Sequence, residues 1–364
     1  MKKIAKKIFI FLILISASFY FSGASSFGLN FETEKAEMTN FLDVTKNRTA
    51  GSADEKKSAD YLSSQLAEMG LAPLWEDYQK SFNFSDATSQ NVAGVKDNGS
   101  DKYVVIGSHY DGIFKLSESY GVNDNASGVV CNLQLARELA ARSLPFNLIF
   151  AFFGAEEAGL CGSEAFLSSL DAALQENILL YINLDSIGAG DELYYFHSDF
   201  KTAYGDFIDQ SFANLEINKL QQQEAFFSAR PAFGLNFSHL GYLSDNASFL
   251  KKGINSLNFF AGKLSGLNFG FHETDSGKQM HKTDSVEKIE ETFGDKFYEN
   301  IVGVKSAVLT LLENENFMSG TEKRELSPAY YSSFLLKGIG IGVIALLAAG
   351  TVIFFKVKEK KKAK

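Results

Sequence analysis

Residues 103–111 read YVVIGSHYD: a short apolar run, Tyr103 to Gly107, followed at once by His109 and Asp111. A β-rich apolar run bounded by polar residues reads as a strand buried on both faces, and the polar groups just beyond it stand at the strand's carboxyl end. The same arrangement recurs downstream. The run Phe146–Phe153 precedes Glu156 and Glu157, Ile178–Leu184 precedes Asp185, and Ile254–Phe260 is a further strand candidate. Between them, Asn125–Ala141 reads as a helix, and Val286–Glu313 as a long amphipathic helix interrupted near Gly294. Upstream, Ser52 with Glu55 three residues later resembles a capping box, opening a helix with Ala59, Leu62, Leu66 and Met69 on its apolar side and Gly70 at its stop. Strands alternating with helices predict an α/β fold, a mostly parallel mixed central sheet with helices on both faces, plus one C-terminal transmembrane helix. In such sheets ligands bind at the carboxyl ends of the strands.

The charge of the chain is sorted by position. Its 364 residues carry 35 Lys+Arg and 44 Asp+Glu, a net −9, yet eleven of the basic residues lie in 2–7 and from Lys337 onward, leaving −19 on the body between. That surplus argues against nucleic acid as a partner, since neutralising phosphates needs a basic face. At the start, four lysines precede the apolar run Ile8–Phe21 and then small residues, so residues 1–25 are expected to be a signal peptide. Near the end, Gly338–Phe355 is 18 residues without a charge, long enough at about 1.5 Å per residue to cross a bilayer. Residues 337–355 are therefore expected to span the membrane, 356–364 to form a basic cytoplasmic tail, 318–336 a stalk, and 27–317 one domain outside the cytoplasm. No linker or repeat divides that domain. Cys131 and Cys161 are too few for a disulfide scaffold. Of six Asn-x-Ser/Thr sequons, those at Asn125 and Asn246 fall inside the motifs below, which favours a host without routine glycosylation, on balance bacterial.

The chemistry lies in five strand-end or helix-start segments: SHYDG (His109, Asp111), NDNASG (Asp124), GAEEAGLCGS (Glu156, Glu157), NLDSIG (Asp185) and HKTDSVEKI (His281). Singly each has a plain structural explanation, Asp124 as a helix cap for instance. Two adjacent acids closing an otherwise buried strand are harder to explain, because unpartnered buried charge costs several kcal/mol. Two imidazoles and three carboxylates suit zinc, and five donors are too many for one tetrahedral ion with an open position. They suit two ions sharing a bridging carboxylate.

In this order the segments resemble the co-catalytic di-zinc aminopeptidase family of the MH metallopeptidase clan. RTAGS (48–52), QNVAG (90–94) and SDNASFLKKGI (244–254) extend the likeness over about residues 40–310. The resemblance implies two Zn²⁺, one on His109 and Asp185, the other on Glu157 and His281, with Asp124 bridging. It makes Glu156 the general base toward the metal-activated water and Asp111 the acid that orients His109. It implies a zinc-dependent metallo-aminopeptidase acting on peptide substrates, which the C-terminal apolar run, read above from the sequence itself, is expected to hold at the cell membrane. One position departs from the pattern: Met280 stands where some members carry a tyrosine that stabilises the tetrahedral intermediate. The stretch Glu192–Leu243 matches no family motif. HExxH, G-x-S-x-G and P-loop patterns are missing. His197, His239 and His272 lack a ligand context, and Cys161 in GLCGS, though able to ligate zinc, reads from its neighbours as a small buried thiol. Two other readings share the fold, a glutaminyl-peptide cyclase working with one zinc and a non-catalytic receptor ectodomain.

Overall fold

A computed structural model of the chain describes residues 31–44, 47–113, 120–197, 203–219, 244–262 and 284–321. His281, Met280 and the segments expected as signal peptide, transmembrane helix and basic tail lie outside the described residues. Among the described residues no helix is long and apolar enough to cross a membrane.

In chain order the elements are α1 (Glu32–Val44), α2 (Ala53–Glu68), β1 (Ala72–Pro73), β2 (Gln79–Phe84), β3 (Ala87–Lys96) and β4 (Tyr103–His109). A π-helical turn, Val122–Ala126, leads into α3 (Ser127–Leu139), then β5 (Asn147–Phe153), α4 (Cys161–Ser169), α5 (Ala172–Asn177), β6 (Ile178–Leu184) and β7 (Glu192–His197). α6 (Ala203–Phe212), β8 (Asn218–Lys219), α7 (Asn246–Lys251), β9 (Ser256–Gly262), α8 (Val286–Phe293), α9 (Asp295–Leu312) and α10 (Phe317–Gly320) follow. The strands form one mixed sheet in the order β1-β3-β5-β4-β6-β9-β7-β8, with β2 paired to β3. The central run β5-β4-β6-β9 is parallel, as is the edge pair β7-β8. Parallel pairing is less extensive than the sequence suggested. The β2-β3 hairpin, β1, and the β3-β5 and β7-β9 pairings are antiparallel. These flanking strands escape a search for apolar runs because β2 is half exposed along its length and β3 opens polar.

Both faces of the central strands are covered. Val104 and Ile106 of β4, Leu148, Phe150 and Phe152 of β5, and Leu180 and Ile182 of β6 join the core beneath α3 and α9. Their alternates Val105, Ile149, Phe153 and Tyr181 pack with Phe166 and Leu167 of α4 and Phe249 of α7. Two-sided burial is why these strands read as continuous apolar runs. Ser52 caps α2, its side chain accepting from Glu55 N, and Gly70 (φ 74°) turns the chain where the helix stops. The expected interruption of the last long helix is real: Gly294, at φ 54°, separates α8 from α9. Phe317 packs on Phe146, and Thr321 is fully buried, so the packed body runs through residue 321.

The chain leaves β4 toward β5 on one side, then crosses back to lay β6 on the other. The strand order therefore reverses between β4 and β6, which opens a crevice at their carboxyl ends. His109 ends β4, and Asp185 follows β6.

The far wall of that crevice depends on α7, whose Phe249 stacks on Tyr181 with ring centroids 3.7 Å apart. Replacing Phe249 with alanine removes a fully buried ring, and stability should fall by about 3–5 kcal/mol. Chemical denaturation of the variant checks this, and a loss under about 1 kcal/mol would show that the site collapses to fill the space.

Candidate metal centre

The crevice brings together three of the expected ligands. His109 Nε2 lies 3.2 Å from Asp124 Oδ1 and 3.5 Å from Asp185 Oδ1. Donor atoms of the three residues all fall within 4.8 Å of one another. His109 and Asp124 are buried, and Asp185 is partly so. Glu156 is buried and Glu157 nearly so, both on the loop that follows β5. Asp111 Oδ1 lies 3.4 Å from His109 Nδ1, close but outside hydrogen-bond alignment. Its stronger contacts are to backbone: Oδ1 accepts from Glu156 N at 3.0 Å and Oδ2 from Glu157 N at 3.2 Å. Asp111 thus lies beside the imidazole and fixes the two glutamates through their amides.

Each ligand loop is held by side chains that capture its backbone. On the glutamate loop, Asn91 Oδ1 accepts from Gly154 N at 3.3 Å and Glu55 Oε1 from Ala155 N at 3.2 Å, just before the two amides taken by Asp111. Ala155 sits at φ 52°, strained for a residue with a Cβ. The NDNAS motif supplies a ligand and a clamp together. Asn123 Oδ1 accepts from Gly188 N and Ala189 N, Ser127 Oγ from Ile187 N, and Asn125 Oδ1 from Ser186 N, while Asn125 Nδ2 donates to Leu184 O. These bonds bracket Asp185, whose neighbour Ser186 is also in the left-handed region at φ 55°. Ser244 Oγ donates to Asp185 Oδ2 at 2.6 Å. Asp284 accepts from Asn123 N and Asp124 N. Asn125 is fully buried with both ends of its amide engaged, and Asn246 is buried too, so neither sequon is open to a glycan.

The electrostatics are those of a negative cluster awaiting positive charge. Burial would lower the His109 pKa, but Glu156, Asp111, Asp124 and Asp185 outweigh it and hold its proton well above the ordinary range. Burial, with Asp245, Asp185 and Asp111 adding to it, pushes the Glu156 carboxyl well up. Burial and then Asp124 push Glu157 up to about 9. Asp185 is lowered: burial acts to raise it, but the His109 contact and the Ser244 and Ser186 hydrogen bonds prevail. Arg48 is also buried within reach of this charge, donating to Tyr110 O, Tyr120 O and Gly121 O. Burial draws its pKa down to about 10, which leaves it charged at neutral pH.

Two carboxylate oxygens, Glu157 Oε1 and Asp185 Oδ1, are buried with no hydrogen-bond partner among the described residues. Unpartnered buried carboxylate is costly. A divalent ion on His109, Asp124 and Asp185 would satisfy the Asp185 oxygen, and imidazole with carboxylate is a donor set that zinc accepts. The residues present therefore fit the metal.

Several residues that shape the site were not assigned a role from sequence. Asp284 and Ser244 lie within quoted motifs, HKTDS and SDNASF, but neither stands at a ligand position. Asp245 beside Ser244 is fully buried, with both oxygens unpartnered among the described residues, and burial pushes it up to about 7. Glu55 was visible only as half of a capping box. It accepts from Gly51 N rather than Ser52 N, and its other oxygen crosses to the glutamate loop.

Comparison with known proteins places the chain in a family. The family model described as peptidase family M28 matches residues 91–304. Leupeptin-inactivating enzyme 1 of Streptomyces exfoliatus is 33% identical over 171 residues, 46% of this chain and 36% of that protein. The matched stretch thus spans about a third of the length of this curated relative. Among solved structures, a zinc aminopeptidase from Bacillus subtilis superposes with a TM-score of 0.58 at 16% identity, covering 80% of this chain and 97% of that one. A glutaminyl cyclase from Porphyromonas gingivalis superposes with a TM-score of 0.55 at 16% identity, covering 77% of this chain and 97% of that one. At these identities the two likenesses show the shared fold.

Glu55 offers a test of the electrostatics away from the ligands. Burial outweighs the hydrogen bonds from Ser89, Gly51 and Ala155 and pushes its carboxyl from 4.5 up to about 7. The folded chain then keeps a proton that the unfolded chain sheds, so this contribution to stability is full below about pH 4.5 and is lost as pH rises through 7. In the zinc-stripped protein, the unfolding free energy of wild type relative to Glu55→Gln should fall by up to about 3 kcal/mol between pH 4.5 and 7.5. A difference that stays flat across that window would mean Glu55 is ionised throughout.

Proposed function

Because the chain belongs to peptidase family M28, we propose that it is a zinc exopeptidase that removes N-terminal residues from peptides. The observation that carries the reading is the convergence of His109, Asp124 and Asp185 at the sheet's switch point, with unpartnered carboxylate oxygens beside them. In this reading His109 and Asp185 hold one zinc, Glu157 and His281 the other, and Asp124 is shared. Zinc, when bound, supplies the positive charge that polarises a scissile carbonyl and acidifies water. Glu156 is the general base: it takes a proton from the attacking water and delivers it to the departing amine. Its carboxyl suits that role, since burial favours its protonated form and cationic charge nearby favours its ionised form. Asp111 fixes the amides of Glu156 and Glu157, so the base and its neighbouring ligand move as one unit.

A glutaminyl cyclase of this fold would share much of the site. The full set of five donors, with His281, favours two ions and hydrolysis. A peptide with N-terminal glutamine separates the two chemistries, because hydrolysis releases free amino acid whereas cyclisation leaves pyroglutamate on an intact peptide. The sorting of basic residues to both ends of the sequence supports a body outside the cytoplasm, tethered by residues 337–355. Proteolysis of intact cells should then remove the body, and a fully protected body would overturn that placement.

The mechanistic assignment is tested by Glu156→Gln. The variant should retain two zinc ions per chain by elemental analysis while kcat falls at least about 100-fold, the usual scale of a positioned base. Wild-type turnover in a zinc-loaded variant would remove Glu156 from the mechanism, and a wild-type chain that purifies without zinc and cannot be loaded would favour the receptor reading.

A further inference from the structure

The turn that carries Asp124 is only partly shaped by helical hydrogen bonding: Ala126 N donates to Gly121 O and Ser127 N to Val122 O, five residues back. Asp124 (φ −115°, ψ 88°) and Asn125 (φ −138°, ψ 45°) leave the helical region inside the turn. The amides of Asn123 and Asp124 instead donate to the Asp284 carboxylate. Asn123 N lies 2.8 and 3.0 Å from its two oxygens, and Asp124 N lies 2.9 Å from Oδ2. Asp284 is fully buried, and its own carbonyl accepts from Tyr120 N at 2.8 Å. Ser285, next in sequence, caps α8. On the other flank Arg48 holds the carbonyls of Tyr120 and Gly121. Burial raises the Asp284 carboxyl to about 7, against the amide bonds from 123 and 124 and the Arg48 charge, which act the other way. A carboxyl group buried beneath a carboxylate ligand is unfavourable unless it gains specific bonds. Asp284 gains three N–H contacts, all to the ligand's own turn.

We propose that Asp284 is a positioning residue for the metal centre, fixing the turn so that the Asp124 carboxylate is presented to both metals. The inference rests on the di-zinc reading above. It follows from geometry: with the amides of 123 and 124 held by one rigid acceptor pair, the Asp124 side chain has few ways to leave the position facing His109 Nε2, 3.2 Å away. Asn123 adds a second consequence, because its side-chain oxygen clamps Gly188 N and Ala189 N. A shift of its backbone would disturb the Asp185 loop as well. Loss of Asp284 should therefore weaken both metals together, rather than one selectively.

The test is zinc titration of the full-length, zinc-stripped protein, with a competing chromophoric chelator reporting affinity, for wild type, Asp284→Asn and Asp284→Glu. The asparagine variant keeps the size but loses one acceptor and sets an N–H₂ against a backbone N–H. Its affinity for both zinc ions should fall about 10–100-fold, the scale of other residues that orient metal ligands. In the zinc-saturated variant kcat should fall while KM for the peptide stays within about twofold, since Asp284 orients a ligand and makes no contact with substrate. Should the asparagine variant fail to fold, Asp284→Glu, which keeps both acceptors on a longer arm, should still lose at least about threefold in affinity for both ions. Zinc affinity within twofold of wild type in a folded variant would overturn the proposal, as would weakening of one ion alone. A wild-type chain that binds no zinc would instead overturn the di-zinc reading from which the proposal starts.

Discussion

The structure depends on the burial of more negative than positive charge at one end of its sheet. Asp111, Asp124, Glu156 and Asp245 are buried within reach of His109, Asp284 lies buried behind Asp124, Asp185 and Glu157 are partly buried, and Arg48 is the one buried guanidinium facing them among the described residues. Such a cluster is unfavourable unless each carboxylate finds donors or a cation. Some find donors in the backbone. Asp111 takes the amides of 156 and 157, and Asp284 those of 123 and 124. Oxygens of Glu157, Asp185 and Asp245 are left without donors among the described residues, and beside His109 and Asp124 a divalent ion would answer the remaining charge.

This division of labour explains why the motifs are longer than their ligands. In NDNAS one residue of five is a proposed ligand, while Asn123, Asn125 and Ser127 all bind the loop carrying Asp185. Gly128 follows because a Cβ there would overlap the Leu184 carbonyl oxygen, so the helix could not approach β6 closely enough for those bonds to form. The left-handed Ala155 and Ser186 fit the same account. Each sits beside a functional side chain and is held by hydrogen bonds to its amide, which is how a strained backbone persists.

Much of this was legible in the sequence, for physical reasons. Strands buried on both faces announce themselves as apolar runs, so β4, β5, β6 and β9 were read within two residues of their limits, and polar groups just beyond them marked the site. Half-exposed β2 and polar-opening β3 gave no such run, nor did α1, whose apolar stripe is thin beside Glu32, Glu34 and Glu37. Residues acting through the backbone were harder still. Glu55 and Asp284 look like ordinary helix-start acids, and only the fold shows that their acceptors reach across 100 and 160 positions of sequence.

Those long-range acceptors bear on how the centre forms. A metal that must order its own ligands, as in small zinc-dependent domains, couples its binding to folding. Here the acceptors that shape the Asp124, Glu156–Glu157 and Asp185 loops are protein side chains, present whether or not an ion is bound. Metal entering this arrangement has little backbone left to organise in those loops and mainly displaces protons. Those are the protons that the buried cluster retains on His109 and on Glu157, the latter raised to about 9. Metal affinity in this architecture should accordingly fall with acid, because acid restores the protons that compete for the same donor atoms.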